Sequence, residues 1–341
     1  MIISVFTPHG GCFERCSFCD QRVSGGKPAS RRQITETIES HLKTRPRADE
    51  IAFYGGTFTA LPRGLQLEYL DAVQPYIEQG LIGSVRISTR PDAIERSWVE
   101  MLLEKYKVRT IELGAQSFNP WVLKALGRSH SPEDTALATQ TLKELGVTVG
   151  LHLMVGCPDE DPNEEQTTLE WLGRLKPHLI RIHPLLVLKG TGLEASWRQG
   201  RFQPLDLETA THRVACLAEA VEAQGMQIIR IGLQPNELLG ESVLAGPYHP
   251  AFGELVRARV YRNQIERALV RLHPGPGDTL EISVSANRLS PVQGQKKANL
   301  TWLKSRFGLS SIQVNVLKDP HQESLNDYDF KVRVCHPGRA S

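Results

Sequence analysis

The sequence predicts an α/β protein in which parallel strands alternate with helices and curl into a barrel or partial barrel, followed by a small basic α+β appendage. Three observations carry this. Short apolar runs alternate with longer amphipathic stretches over the first two-thirds of the 341 residues. Polar and glycine-rich segments recur just after the apolar runs. Beyond Pro235 the pattern and the charge both change. A doubly wound sheet is the alternative reading of the same alternation.

Strands are expected at 2–7, 50–54, 85–89, 109–113, 148–154 and 179–183, with a further one at 227–231. Helices are expected at 32–43, 65–79, 97–105, 120–126, 132–145 and 164–175. The start at 131–134 is marked by a Ser131 N-cap, Pro132 at the first helical position and acids in the first turn. Gly55-Gly56-Thr57, Arg90-Pro91-Asp92, Gln116-Ser117 and Gly156-Cys157-Pro158 each follow a strand. Parallel α/β sheets carry their sites at the carboxyl ends of strands, so these segments are expected to share one face with the cysteines after the first strand.

Beyond Pro235 a loop at 246–253, a basic helix at 255–272 and a Pro-Gly-Pro-Gly break at 274–277 precede a β-α-β pattern at 280–284, 298–306 and 311–316. Residues 251–341 hold fourteen Lys and Arg against eight Asp and Glu, a net +6, while the whole chain is +2. Such asymmetry suits an anionic partner, RNA among them, or a solvated helix face. We divide the chain into 1–235 and 236–341 on this basis.

Hydrophobic residues are 40% and charged residues 23%, enough apolar surface for a core and too little charge bias for disorder. No run reaches the ~18 apolar residues of a membrane span. Residues 1–6 enter an apolar run with no basic leader, so a cytoplasmic protein with reduced thiols and no membrane partner is expected. Six cysteines then point to metal or redox chemistry. Cys12, Cys16 and Cys19 fall within eight residues, a spacing for zinc, with His9 or Asp20 as fourth ligand, or for an iron–sulfur cluster with one open iron.

The order Cys12-x3-Cys16-x2-Cys19 after the first strand, Phe18 before the third cysteine and Gly55-Gly56-Thr57 after the second strand resembles the radical S-adenosylmethionine (radical SAM) superfamily. The resemblance covers about 1–235 and implies a partial (β/α)6 TIM-type barrel. Phe-Tyr-Gly-Gly-Thr-Phe at 53–58, Ser-Thr-Arg-Pro-Asp at 88–92, Glu-Leu-Gly-Ala-Gln-Ser at 112–117 and Pro-Leu-Leu-Val-Leu-Lys-Gly-Thr at 184–191 are similar to the Elongator subunit 3 (Elp3) group.

The resemblance implies that Cys12, Cys16 and Cys19 hold a [4Fe-4S] cluster whose fourth iron chelates SAM. Phe18 would lie beside the adenine, and Gly55, Gly56 and Thr57 at the methionine end. In the related oxygen-independent coproporphyrinogen oxidases a glutamine and an arginine twelve residues later contact SAM; the same interval here joins Gln116 to Arg128, which would pair with the carboxylate. His152 stands where those oxidases bind ribose through an aspartate, and Arg90 is a further candidate for SAM or substrate. The implied activity is one-electron cleavage of SAM to methionine and a 5′-deoxyadenosyl radical that takes hydrogen from a substrate, RNA or ribosome-related. The electron donor would be of flavodoxin or ferredoxin type. The competing readings are a coproporphyrinogen oxidase-like enzyme, which His152 disfavours, and a nucleic-acid-binding protein with structural zinc.

The remaining candidates read as structure. His130 and His183 are expected to be packed or exposed histidines, Lys189 a substrate contact or a solvated lysine, Cys157 and Cys216 core residues and Cys335 idle. Trp98, Trp121, Trp171 and Trp197 fall in helices as packing residues. Gly294-Gln295-Lys296-Lys297 resembles a KH-type backbone clamp without its second glycine; the alternative is a lid or dimerisation element. The 106 residues beyond Pro235 are too few for the acetyltransferase domain of larger Elp3 proteins, and the tRNA-binding N-terminal extension of that group is not expected.

Overall fold

In a computed structural model, described over residues 1–7, 10–20, 29–235, 237–317 and 330–336, the alternation resolves into one sheet. Strands β1 (Ile2–Phe6), β2 (Ala48–Tyr54), β3 (Ile82–Thr89), β4 (Val108–Gln116), β5 (Thr148–Val155) and β6 (Leu179–Pro184) lie in sequential order, all parallel. A short β7 (Val187–Leu188) leaves the sheet, and β8 (Gln227–Ile231) completes it beside β6 as a seventh strand. Strand order never reverses, which a doubly wound sheet would require. The sheet is a curled half-barrel, with β1 and β8 as its edges. β9 (Val243–Ala245) pairs antiparallel with β7.

Between the strands run α1 (Arg31–Thr44), α2 (Arg63–Glu78), α3 (Arg96–Tyr106), α4 (Pro120–Ala125), α5 (Pro132–Glu144), α6 (Glu164–Leu175), α7 (Gly192–Arg198) and α8 (Leu207–Ala223). α5 begins on the expected signal: Ser131 and Asp134 form a capping box around Pro132. α1 uses the same device through Ser30 and Gln33. Side chains of a strand alternate between faces. One parity here is apolar and fully buried: Ile51, Phe53, Ile87, Ile111, Leu113, Val149, Leu151, Ile180 and Ile182. Phe53 stacks on Tyr69 of α2 at 5.9 Å, which identifies this parity as the one under the helices. Each such side chain contributes about 1.5–3 kcal/mol by leaving water. The other parity carries Glu50, Arg86, Glu112, His152 and Arg181 on the concave face.

The chain forms two compact units, Met1–Ala210 with Ala220–Pro250, and Thr211–Glu219 with Ala251–Ser341. The first also contains α9 (Glu237–Ser242). The second holds α10 (Phe252–Leu272), β10 (Thr279–Val284), α11 (Leu289–Gln293), α12 (Ala298–Phe307), β11 (Ser311–Val316) and β12 (Phe330–Cys335). β10 is central, parallel to β11 and antiparallel to β12, a strand the sequence reading did not include. Its core joins Tyr261, Ile265 and Leu269 to Leu280, Ile282, Val284, Leu303 and Phe330. Asn299 donates to Ala258 O at 2.7 Å, fastening α12 to α10.

Two packing expectations need correction. Trp121 is 69% exposed, because the first turn of α4 turns it outward while Val122 and Leu123 take the core. Cys216 is exposed rather than core. Trp171 stacks on Phe118, Trp197 packs on an apolar cluster, and Trp98 donates to Gln66 Oε1 at 2.8 Å.

Candidate active site

The cysteine loop leaves β1 and is laced on two sides by backbone bonds. Toward β2, Thr57 N donates to Gly10 O at 2.6 Å and Thr7 N to Tyr54 O at 2.7 Å. On the other side, Ser17 N donates to Leu126 O, just past α4, at 2.9 Å and Leu193 N, in α7, to Ser17 O at 2.7 Å. The first contact requires glycine at position 56. Its φ is +61°, and a Cβ there would lie 2.2 Å from Gly10 O. Cys12 Sγ lies 3.5 Å from Thr57 Oγ1, and Arg128 Nη1 lies 3.6 Å from Cys16 Sγ. So the loop brings the three cysteines, Gly55-Gly56-Thr57 and Arg128 into one neighbourhood.

All six cysteines are unbridged. Among the described residues no three His, Cys, Asp or Glu side chains converge as a ready metal cage. Three thiols on one strand-end loop nonetheless have the chemistry of a cluster site: soft donors, one short of four, leaving an iron for an outside ligand. His9, the alternative zinc ligand, lies outside the described residues.

Gln116 and Arg128 meet over Gly114. Gln116 has a left-handed backbone, φ +67°. A Cβ on Gly114 would fall 2.8 Å from Gln116 Nε2 and 3.7 Å from Arg128 Nη2. Arg128 Nη2 donates to Gly114 O at 2.8 Å and its Nε to His130 Nδ1 at 3.2 Å. His130 is buried, with Nε2 at 3.1 Å from Ala115 O. Burial, then the charge of Arg128, pushes its pKa down to about 4. The ring is therefore neutral, and because Nδ1 accepts from Arg128, Nε2 carries the proton to Ala115 O. His130 is a positioning group for Arg128.

Arg90 is held by two carboxylates and a hydroxyl beside the cysteine loop. Its Nη1 donates to Glu14 Oε2 at 2.8 Å, its Nε and Nη2 to Asp92 at 2.8 and 2.6 Å, and Nη2 also to Ser129 Oγ at 2.9 Å. The guanidinium covers the Phe13 ring at 4.3 Å. Glu14 and Phe13 lie between Cys12 and Cys16, so Arg90 grips the cysteine loop itself. Although burial opposes it, the Arg90 hydrogen bonds hold the Asp92 carboxyl below its ordinary range.

His152 faces the buried Glu112, with Nε2 2.5 Å from Oε2. Glu112 also accepts from Arg86 Nη1 at 2.7 Å and Arg181 Nε at 2.5 Å. Burial alone would raise its pKa; the bonds from His152 and Arg181 hold it far below the usual carboxylate range. Arg181 Nη2 reaches Tyr54 Oη at 2.8 Å. Phe18 packs on the apolar cluster containing Cys157, Leu185 and Val187.

Sequence reasoning assigned no role to Glu14, Arg86, Glu112, Arg181 or Arg230. For all but Glu14, which lies on the cysteine loop, the signal was parity: charges at alternate positions of otherwise apolar strands mark a polar inner face of a barrel.

A parallel half-barrel with a three-cysteine loop after its first strand defines the radical SAM class of enzymes. The Radical SAM superfamily profile matches residues 6–172 and the Radical_SAM C-terminal domain profile residues 177–262; the chain belongs to the radical SAM superfamily and is Elp3-like. It is an enzyme of that superfamily. It is 28% identical over 296 residues to a tRNA uridine(34) acetyltransferase of Methanocaldococcus infernus, covering 73% of this chain and 53% of that protein. It is 27% identical over 251 residues to Elongator complex protein 3 of Bos taurus, covering 63% and 45%. The chain thus spans about half the length of these curated relatives. Among solved structures, the archaeal Methanocaldococcus infernus Elp3 with an N-terminal deletion superposes with a TM-score of 0.59 at 25% identity, over 79% of this chain and 63% of that one.

Proposed function

We propose that the chain holds a [4Fe-4S] cluster on Cys12, Cys16 and Cys19, binds SAM beside it, and acts on a nucleotide of an RNA, tRNA being favoured by the names of its relatives. The observation that carries this reading is the lacing of the cysteine loop between the Gly55-Gly56-Thr57 turn and Arg128. When bound, the reduced cluster supplies one electron for cleavage of SAM to methionine and a 5′-deoxyadenosyl radical that abstracts hydrogen from the substrate.

The chain's own residues would do the following. Backbone groups of 55–57, at a turn with no side chain on Gly56, receive the methionine end. Arg128, held by Gly114 O and neutral His130, offers a fork to the methionine carboxylate. Gln116 borders the same space. Phe18 gives an apolar wall for the adenine, and His152, oriented by Glu112, reaches toward the ribose. Residues 1–235 form the catalytic half-barrel and 236–341 the appendage, whose basic surface meets RNA phosphates. A one-electron donor of flavodoxin or ferredoxin type completes the system in the cytoplasm. No described helix is long and apolar enough to cross a membrane.

The test is anaerobic purification, reconstitution with iron and sulfide, metal counting and EPR with and without SAM. About four irons per chain and a SAM-perturbed signal, both lost in Cys16→Ala, are expected. One zinc per chain and no response to SAM would overturn the reading.

A further inference from the structure

Across its strands, the concave face carries more positive than negative charge among the described residues. Arg86, Arg181 and Arg230 stand there against two carboxylates, Glu50 and Glu112. Glu50 is taken by Arg86, whose Nε donates at 2.8 Å. Glu112 is shared among Arg86, Arg181 and His152. Among the described residues no carboxylate pairs with Arg230. Its Nε donates to Gly232 O at 3.1 Å and its Nη2 to Leu233 O at 2.9 Å, both backbone carbonyls of its own loop. Of the five N–H donors of a guanidinium, the others find no protein partner among the described residues. Arg181 likewise has its Nη1 uncommitted among the described residues, since its bonds to Glu112 and Tyr54 use Nε and Nη2.

These two arginines are direct register partners on β6 and β8. Neighbouring strands lie about 4.8 Å apart, and partners in register point to the same face. Like charges directly opposite one another destabilise a sheet. Burial, then the field of Arg181, presses the Arg230 pKa below its ordinary value. Two residues further along β6, on the same face and nearer the strand's carboxyl end, His183 Nε2 is buried with no hydrogen-bond partner. Burial pushes the pKa of that ring down to about 3, so it is neutral, with Nε2 left to donate or accept. A buried polar atom without a partner costs about 1–3 kcal/mol. One occupant satisfies all three deficits: an oxyanion.

We propose that Arg181, Arg230 and His183 form a binding site for a phosphate or carboxylate group of the substrate. The inference rests on the reading above, that the half-barrel is catalytic and acts on a nucleotide of an RNA, and it places that substrate against the concave face. Two planar forks side by side suit an oxyanion better than a single point charge does. The anion removes the repulsion between the arginines and gives the His183 nitrogen a partner. Glu112, committed three ways, holds Arg181 in place without neutralising its neighbour.

The test titrates inorganic phosphate and acetate, in separate arms at constant ionic strength set with chloride, into the anaerobically reconstituted full chain. Calorimetry reads the binding. Wild type saturates with at least one anion; Arg230→Gln weakens that binding at least tenfold, and Arg230→Lys, which keeps the charge but not the fork, weakens it less. Preference for phosphate assigns a phosphoester of the substrate, and preference for acetate a carboxylate. Thermal melting and iron content of both variants report folding, and Arg230→Lys carries the test should Arg230→Gln misfold. Failure of both anions to saturate the wild type, or affinity unchanged in Arg230→Gln, overturns the site. The radical reading is scored separately, by 5′-deoxyadenosine released from SAM by the reduced wild type; its absence with anion binding intact sinks that reading and leaves the site.

Discussion

Arg90 shows how one residue's place can be read from sequence while its role cannot. Its position after β3 marks it as a strand-end residue near the site, and that much is visible in the order Ser88-Thr89-Arg90-Pro91-Asp92. Its partner Glu14 is 76 residues away, and no local pattern connects them. A guanidinium so nearly buried must be paired, and removing it would strand two carboxylates against each other. Because Glu14 lies between two of the cysteines, that strain would be delivered to the loop they occupy. Arg90→Met is therefore expected to speed iron release from the reconstituted protein to a ferrous chelator about tenfold, a change of ~1.4 kcal/mol in barrier. Glu14→Gln keeps an acceptor for Arg90 and should speed it less. Absorbance of the chelate over time measures both, and wild-type release rates in Arg90→Met would show that the loop holds its shape without the clamp.

At the scale of elements, the parallel half-barrel was legible because its signals are local. Apolar runs of strand length, helix caps such as Ser131-Pro132 and glycines after strands each need only a few neighbouring residues. β12 has the same period-two alternation, Phe330, Val332 and Val334, but stands alone near the end of the sequence, where one six-residue run has no neighbouring unit to corroborate it. The inner charge network escaped because each member looks like a stray charge in an apolar strand until five strands are brought together. The turn at Gly56 tests how far the site depends on backbone fit. Ala there must adopt φ +61° and also clear Gly10 O, 2.2 Å from where its Cβ would be. Gly80 has nearly the same φ, +68°, with nothing within 4 Å of a Cβ. The left-handed backbone alone costs roughly 1–2 kcal/mol for an L residue. Gly80→Ala should lose about that much stability in urea unfolding. Gly56→Ala should lose at least ~2 kcal/mol more, from displacing the cysteine loop, and should load less iron on reconstitution. Equal losses in the two variants would mean that the turn and the loop are not mutually dependent.

At the scale of the whole molecule, the charge is divided unevenly: a net +6 beyond residue 250 in a chain whose total is +2. Such a division leaves the stretch that contains the half-barrel mildly acidic, so long-range attraction for a polyanion would be concentrated in the second unit. Within that unit Lys296 and Lys297 are exposed at the start of α12, both with left-handed backbones, φ 52° and 62°. The sequence singled out this segment by its likeness to a KH clamp. It could not show that two lysines in succession would be held in that conformation, which follows from the turn closed at Gly294, whose carbonyl accepts from Lys297 N at 3.0 Å. If the appendage recruits RNA through phosphates, each contact releases bound counterions and adds to the salt dependence, by roughly 0.7–0.9 in the logarithmic slope per phosphate. The full chain is expected to bind tRNA with an affinity that falls steeply between about 50 and 200 mM salt. Replacing Lys296 and Lys297 together by glutamine should lower the slope by about 1–2 and weaken binding similarly for unrelated tRNAs, since phosphate contacts carry no sequence information. Filter binding over a salt series measures this. An unchanged slope would place the RNA contact elsewhere on the chain, whereas loss of affinity for one tRNA alone would mean that these lysines read bases rather than backbone.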